Sequence, residues 1–530
     1  MKVSRRDALR LGLATGASLL LPAGLMACSG GGGLGGGANV GTQGSAGRLL
    51  KSQAPLPEPF RVPLPVPPVL RPVRSDATGD HYKITQQAAQ VEILPGMRTE
   101  VWGYNGIFPG PTIESRRGRR TVVTHRNRLK VPVVVHLHGG KTPPEHDGYP
   151  TDVIAPVGGW TGGHGGHGSH GMHEGAKQYV YPVDQPAATL WYHDHRMDFT
   201  GPQVYKGLAG FHLIRDDEEE RLGLPHGERD IPLMICDRAF AADGSFDYPA
   251  VDPTLRDTPG TKGDFISGVL GDCILVNGAP WPQLEVTNTR YRFRILNASN
   301  ARRYRLALDP RPSSGPSFVQ IGGDQGLLAQ PVAHNHLKIA QAERFDVIID
   351  FSRYRVGEQV TLVNEHGRGG TAKVMRFVVA RGGTDDSQIP PTLVGIRRLQ
   401  PSDATVRREL VFARGGAQAH GMTLWTVNGE PFDPGRIDAD PTLGAVELWK
   451  VRAQNVEHPI HIHLAPFQVV SIGGNDPGPY NQGWKDTVNL DNGDYAELLV
   501  HFDGHRGRYA FHCHNLEHED MQMMGNFQVT

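Results

Sequence analysis

One stretch of this chain is written three times. YNGIFPGPTIESRRGRRTVVTHRNRL surrounds Asn105, VNGAPWPQLEVTNTRYRFRILNAS surrounds Asn277, and VNGEPFDP followed by GAVELWKVRAQN surrounds Asn428. Each copy runs from Asn-Gly through a proline-containing turn to an apolar run and an alternating strand that ends in an asparagine-containing turn. Asn-Gly is a strong hairpin signal, because both residues tolerate the positive φ that tight turns demand. The copies lie 172 and 151 residues apart (105 to 277 to 428), well beyond the roughly 20–50 residues of a solenoid repeat. The repeated unit is therefore a whole domain. Three related β-sandwiches are predicted, over residues 76–216, 217–400 and 401–530, in an all-β chain. The 67 glycines, the 41 prolines and the scarcity of long amphipathic helical runs agree with that class. A length of 530 residues also exceeds what one core usually accommodates. Net charge is -1, so nothing points to nucleic acid or an anionic surface as partner.

Ahead of the first copy lie two segments of a different kind. In residues 1–28, Arg5 and Arg6 precede an apolar run from Leu11 to Leu21, too short to span a bilayer. This reads as an export signal. It resembles the twin-arginine type, although Ala8 stands where that motif usually has an aromatic residue. LMAC at Leu25–Cys28 resembles a bacterial lipobox, which makes Cys28 a candidate lipid anchor. The plain alternative is an ordinary signal with a chance cysteine. A periplasmic or extracellular protein is expected in both cases. Residues 29–75 are glycine-rich and then proline-rich. They read as a flexible tether that stiffens into an extended segment, with little prospect of a core.

Histidine separates the copies. The first has VVVHLHGG (His136, His138) and LWYHDH (His193, His195). The third has EHPIHIHL (His458, His461, His463) and HCHNLEHEDMQMM (His512, Cys513, His514, His518, Met523). The second has NASNARRYRLAL at the equivalent place, with no histidine. A lone strand histidine is ordinarily a packed or surface residue. Four His-x-His pairs confined to the two outer copies are not explained that way. Residues i and i+2 of a strand share a face, so each pair presents two imidazoles side by side, and imidazole is the commonest metal ligand. Eight imidazoles suffice for a cluster of several metals with an open position. His458, Cys513, His518 and Met523 remain. Two imidazoles, a thiolate and a thioether make the donor set of a blue-copper site, with the methionine weak and axial. Cys513 points away from the face of His512 and His514. One strand would then carry metal on both sides, separated by about 10–15 Å on strand dimensions.

Of the four cysteines, Cys28 belongs to the signal and Cys513 to the histidine motif. Cys236 and Cys273 remain, in an oxidising compartment. A disulfide and two buried thiols on neighbouring strands are both open, since sequence does not supply the geometry.

HLHG, HDH, HPIHIH and HCHNLEHEDMQM follow one another as the four copper signatures of multicopper oxidases do. Across roughly residues 80–530 the chain resembles that family. Within it, the chain is most similar to bacterial spore-coat laccases, bilirubin oxidases and phenoxazinone synthases, through HLHGGKTPPEHDGYP, LWYHDHRM, ILVNGAPWP, YRFRILNASNARRY and LEHEDMQMM. The resemblance implies three cupredoxin-like, Greek-key β-sandwich domains, with a trinuclear copper cluster between the first and third. It implies four coppers. Type 1 would be held by His458, Cys513, His518 and Met523, and type 2 by His136 and His461. One type 3 copper would use His138, His193 and His514, and the other His195, His463 and His512. Met521 and Met524 are rivals to Met523, which alone has the expected spacing. The implied reaction is one-electron oxidation of a phenolic, aromatic amine or bilirubin-type substrate, coupled to four-electron reduction of dioxygen to water. Glu519 and Asp147 match acids that serve proton transfer in such relatives, against the plain alternative of solvated loop acids.

Other readings stay open. A metallo-oxidase would apply the same chemistry to Cu(I), Mn(II) or Fe(II). A non-enzymatic envelope protein on the same fold is disfavoured by the complete ligand set. The third copy and the four histidine pairs disfavour a two-domain nitrite reductase. WTGGHGGHGSHGMHEG sets His164, His167, His170 and His173 at three-residue steps among glycines. It is either a disordered insertion or a labile copper site. The reducing substrate and the oligomeric state are not written in these motifs.

Overall fold

The computed structural model describes residues 45–161, 171–419 and 422–530. The signal, Cys28 and the glycine tract lie outside the described residues, as do His164, His167 and His170. Each Asn-Gly pair makes the same turn. Asn105, Asn277 and Asn428 have φ of 57°, 50° and 54°, and the glycines after them 71°, 83° and 80°. Two successive positive φ values are the type I′ signature. Each asparagine Oδ1 also accepts a backbone N–H from an earlier strand, from Thr85 at 2.9 Å, Met234 at 2.8 Å and Val411 at 2.7 Å. In every copy a strand upstream of the turn pairs in parallel with one downstream: Gly79–Val91 with Thr121–Asn127, Asp230–Arg238 with Arg290–Asn297, and Ala404–Ala419 with Val446–Ala453.

The large sheets fall into three pairs, of five and four strands, seven and five strands, and five and four strands in chain order. Tyr82, Ile84, Val123 and Leu190 fill the first sandwich, and Phe412, Trp449, Leu498 and Phe511 the third. The core of the middle copy continues into the first through Trp191, Phe211 and Leu213. Full burial of such a side chain contributes roughly 1.5–3 kcal/mol, so this shared core fixes the first sandwich against the second.

The histidine motifs sit on the two four-stranded sheets. Val135–His138 pairs antiparallel with Ala188–Asp194, placing His136 opposite His193. His458–Ile462 pairs with Gly507–Cys513, placing His461 opposite His512.

One expectation needs correction, and one open question closes. Residues 45–75 are extended, as their prolines suggest, but they are not a bare tether. Arg48–Leu50 adds a parallel strand to Val269–Gly271, and Ala54, Phe60 and Leu64 enter the middle core. A chain stiffened by proline has little freedom left to lose on docking, so a few apolar side chains suffice to hold it. Of the two readings of Cys236 and Cys273, the structure has the second: they are buried free thiols on neighbouring strands. On their antiparallel strands Cys236 faces Leu275 and Cys273 faces Arg238. The two cysteines are diagonal neighbours, which stand about 7–8 Å apart in a ladder. A disulfide rarely bridges Cα atoms more than about 7 Å apart.

Candidate metal centre

The strand Gly507–Cys513 ends with side chains on opposite faces. On one face Cys513 Sγ lies 3.4 Å from His458 Nδ1 and 3.5 Å from His518 Nδ1, and these nitrogens are 3.2 Å apart. With metal–imidazole bonds near 2.0 Å and metal–thiolate bonds near 2.3 Å, donors around one ion stand about 3.3–3.7 Å from each other. The triangle fits one ion. His458 Nε2 donates to the Gln454 carbonyl at 3.1 Å, which turns its Nδ1 lone pair toward the sulfur. Trp425 stacks on His518 at 3.8 Å between ring centroids, and its Nε1 donates to the Ile266 carbonyl at 2.8 Å. Met523 is fully buried in the same core as Cys513, and its carbonyl accepts from Cys513 N at 3.1 Å. Met521 shares this core, whereas Met524 packs elsewhere with Tyr149 and Phe432. Burial pushes the Cys513 thiol far above its ordinary range, so a thiolate here needs a cation beside it.

On the other face eight imidazoles converge from the first and third copies. His195, His463 and His512 place their Nε2 atoms 3.2 Å apart on all three edges, again a spacing that one ion fits. His136 stacks on His463 at 3.8 Å and His138 on His461 at 3.7 Å. The His-x-His pairs of the two copies thus interlock crosswise. His138, His193 and His514 form a third group, with centroids 5.8, 5.3 and 5.0 Å apart.

Hydrogen bonds decide which nitrogens face inward. A carbonyl only accepts, so Nδ1 carries the proton in His136 (to Asp147 O, 2.6 Å), His193 (to Asp194 O, 2.8 Å), His461 (to Asp486 O, 2.8 Å) and His512 (to Cys513 O, 3.1 Å). The Nε2 lone pairs of these rings are left for another partner. His136, His193 and His461 Nε2, His138 Nδ1 and both nitrogens of His514 are buried with no protein hydrogen-bond partner. Buried polar atoms are rarely left so. Five rings in this state around one space match metal ions. Burial, and then neighbouring imidazoles, hold His136 and His514 well below the usual histidine range, and burial takes His193 to about 4. Neutral imidazole is the ligand form.

Three buried carboxylates brace these rings. Glu519 lies 3.3 Å from His195 Nδ1 and 3.1 Å from His512 Nδ1. Burial works against its charge, but the imidazoles of His512 and His195 draw it down to about 2. Asp147 takes His136 on its carbonyl and stands with Oδ2 2.6 Å from His463 Nδ1. Burial raises it to about 8, with the Thr142 hydroxyl opposing. Asp486 takes His461 on its carbonyl and His138 Nε2 on Oδ1 at 3.0 Å. Burial disfavours its charge too, but Arg344, bonded to both its oxygens, holds it well below the carboxylate range.

Eleven of the twelve residues predicted to bind copper thus converge in these groups, with Glu519 and Asp147 against their rings, and Met523 is buried in the core that holds Cys513. Sequence reasoning missed Asp486, Arg344 and Trp191. Trp191 stacks on His193 at 4.1 Å and lies 5.3 Å from His138. Its place two residues before His193 on a strand could have revealed it. Of the glycine-loop histidines, His173 is described, half-exposed with Nε2 2.8 Å from Asp152, away from both centres.

Known proteins agree with this geometry. Residues 85–219 and 403–530 match family signatures described as multicopper oxidase. A laccase from Bacillus subtilis strain 168 is 36% identical, over 89% of this chain and 99% of its own length. A bilirubin oxidase from Albifimbria verrucaria is 36% identical, over 92% and 85%. The crystal structure of a laccase from Pediococcus acidilactici superposes with a TM-score of 0.76 at 33% identity, covering 91% of this chain and 96% of that one. Similarity at this level over most of both chains, with both metal-sized donor sets in place, makes the chain a member of the multicopper oxidase family, copper-dependent oxidoreductases that use dioxygen as electron acceptor.

Proposed function

We propose that this protein is a laccase-like oxidase that takes electrons singly from a small phenolic, aromatic amine or bilirubin-type donor and delivers four to dioxygen. The observation that carries the reading is the strand ending at Cys513. Its thiol closes one metal-sized triangle, and the neighbouring His512 closes another on the opposite face. In this assignment His458, Cys513, His518 and Met523 hold type 1 copper, and His136 and His461 hold type 2. His138, His193 and His514 hold one type 3 ion, and His195, His463 and His512 the other. Bound copper supplies reversible one-electron transfer and a place for dioxygen.

The chain's own residues do the rest. The Cys513 side chain and its peptide links to His512 and His514 give a covalent route between the two faces. Glu519, ionised and set between His195 and His512, orients both rings. Asp147, protonated up to about 8, holds a proton one hydrogen bond from His463 and can release it during turnover. The similarity to a laccase and a bilirubin oxidase supports an organic donor. Arg5, Arg6, the apolar run and LMAC support export, with Cys28 as the anchoring residue.

Oxygen uptake by copper-loaded protein tests the reading, with a phenol, an aromatic amine, bilirubin, Cu(I) and Mn(II) offered in turn. Uptake with an organic donor is expected. Uptake with the metal ions alone would make the protein a metallo-oxidase. No uptake by fully loaded protein would end the enzymatic reading.

A further inference from the structure

The middle copy carries none of the histidine motifs, yet one of its side chains reaches the cluster. Arg344 is fully buried. Its Nε donates to the Thr189 carbonyl at 3.0 Å, Nη1 to the Ala342 carbonyl at 2.9 Å and Asp486 Oδ1 at 2.8 Å, and Nη2 to the Asp324 carbonyl at 2.8 Å and Asp486 Oδ2. All five guanidinium protons are used. The acceptors come from all three copies. Thr189 lies on the strand Ala188–Asp194, which leads into His193 and His195.

We propose that Arg344 is a positioning residue for the trinuclear centre, acting through Asp486 on His138 and His461. The proposal rests on the ligand assignment above. The Asp486 carboxylate accepts from His138 Nε2 at 3.0 Å, and its carbonyl from His461 Nδ1 at 2.8 Å. These two rings stack on each other at 3.7 Å. One aspartate therefore orients a ring assigned to type 3 copper and a ring assigned to type 2. Gln325 Nε2, also from the middle copy, donates to Asp486 Oδ2 at 2.7 Å, and Thr487 Oγ1 to Oδ1 at 3.0 Å. The fork bears on a sequence feature as well. A Cβ on Gly139, the residue after His138, would come 2.7 Å from Arg344 Nη2 and 2.9 Å from Asp486 Oδ2. Gly139 also has a φ of 86°, which favours glycine by itself, and Leu190 shares that space with the arginine–aspartate pair. A lysine would put one point charge where five directed donors stand.

The test compares copper-loaded wild type, Arg344→Lys, Asp486→Asn, the double variant and His138→Ala. Copper per chain, the type 2 electron paramagnetic resonance signal and copper loss to a chelator are measured. The blue type 1 band serves as internal control, because no type 1 ligand belongs to this network. Arg344→Lys should keep the blue band and lose trinuclear copper to chelator about ten- to a hundredfold more readily, the usual cost of removing an outer partner of a metal ligand. The double variant should lose no more than Asp486→Asn alone, since both act through one carboxylate. Unchanged copper retention and an unchanged type 2 signal in Arg344→Lys would overturn the proposal, as would additive losses in the double variant. Full copper retention by His138→Ala would instead overturn the ligand assignment. If Arg344→Lys does not fold, Gln325→Leu removes another donor to the same oxygen. It should weaken retention in the same direction by a smaller factor, and no change there would equally overturn the proposal.

Discussion

Asp147 and Asp486 occupy matching places on two sides of the histidine cluster. Each takes a histidine of its own copy on its carbonyl, His136 or His461, and places its carboxylate against a histidine of the other copy, His463 or His138. Both are buried. Their neighbours differ, most of all in one cation. Asp486 has the Arg344 fork, whereas Asp147 has a hydroxyl, Thr142 Oγ1 at 3.5 Å. That difference drives them apart. Asp147 is held up at about 8, while Asp486 is held well below the usual carboxylate range. Environments that split a pair of like acids assign their roles. The Asp486 side is a fixed anion that orients ligands. In the proposed function the Asp147 side keeps an exchangeable proton.

Neutralising each aspartate should break the symmetry most visibly. Asp486→Asn strands the buried Arg344 charge, so unfolding free energy should fall by about 3–5 kcal/mol, read by denaturant titration. Asp147→Asn replaces a group that burial keeps neutral in the folded state, so it should not lower the unfolding free energy, and above pH 3.8 it should raise it because only the unfolded carboxyl ionises. Equal losses would refute the division of roles.

Turnover should show the reverse weighting. Asp147→Asn should keep four coppers and the blue colour but slow oxygen reduction by about a hundredfold, the range of a lost general acid, measured as reoxidation of fully reduced enzyme. Reoxidation at the wild-type rate would reduce Asp147 to a brace for His463.

The last contrast is in the pH dependence of the copper-free protein. Asp147 has a folded value of about 8 against an ordinary 3.8, so the folded state holds a proton that the unfolded state has released. Its contribution is present below 3.8 and is lost as pH rises toward about 8, at up to about 1.4 kcal/mol per pH unit. Thr142, Lys177 and His512 act against the shift. Asp147→Asn should flatten this part of the stability profile. An unchanged slope would place the buried proton elsewhere.

Much of this centre is legible in the amino-acid sequence. Strand periodicity puts His136 beside His138 and sets Cys513 against His512, because i and i+2 share a face. The three Asn-Gly turns announce the repeat, since few other pairs tolerate two positive φ values. What the motifs do not reveal is long-range. Asp486 and Arg344 lie 142 residues apart in sequence, in different sandwiches, and neither sits in a periodic motif. The Cys236–Cys273 question turns on strand register, which composition does not encode. The Pro-rich stretch reads as a tether because its few apolar residues, Phe60 and Leu64 among them, find their core in another part of the chain.

The central claim is that Cys513 and its neighbours hold a single copper on one face and a three-copper cluster on the other. Anomalous diffraction above the copper edge, on crystals of copper-loaded protein, tests it directly. Four peaks are expected: one within bonding distance of His458, Cys513 and His518, and three among His136, His138, His193, His195, His461, His463, His512 and His514. An empty Cys513 site, or fewer than three peaks among the eight imidazoles, would contradict the account.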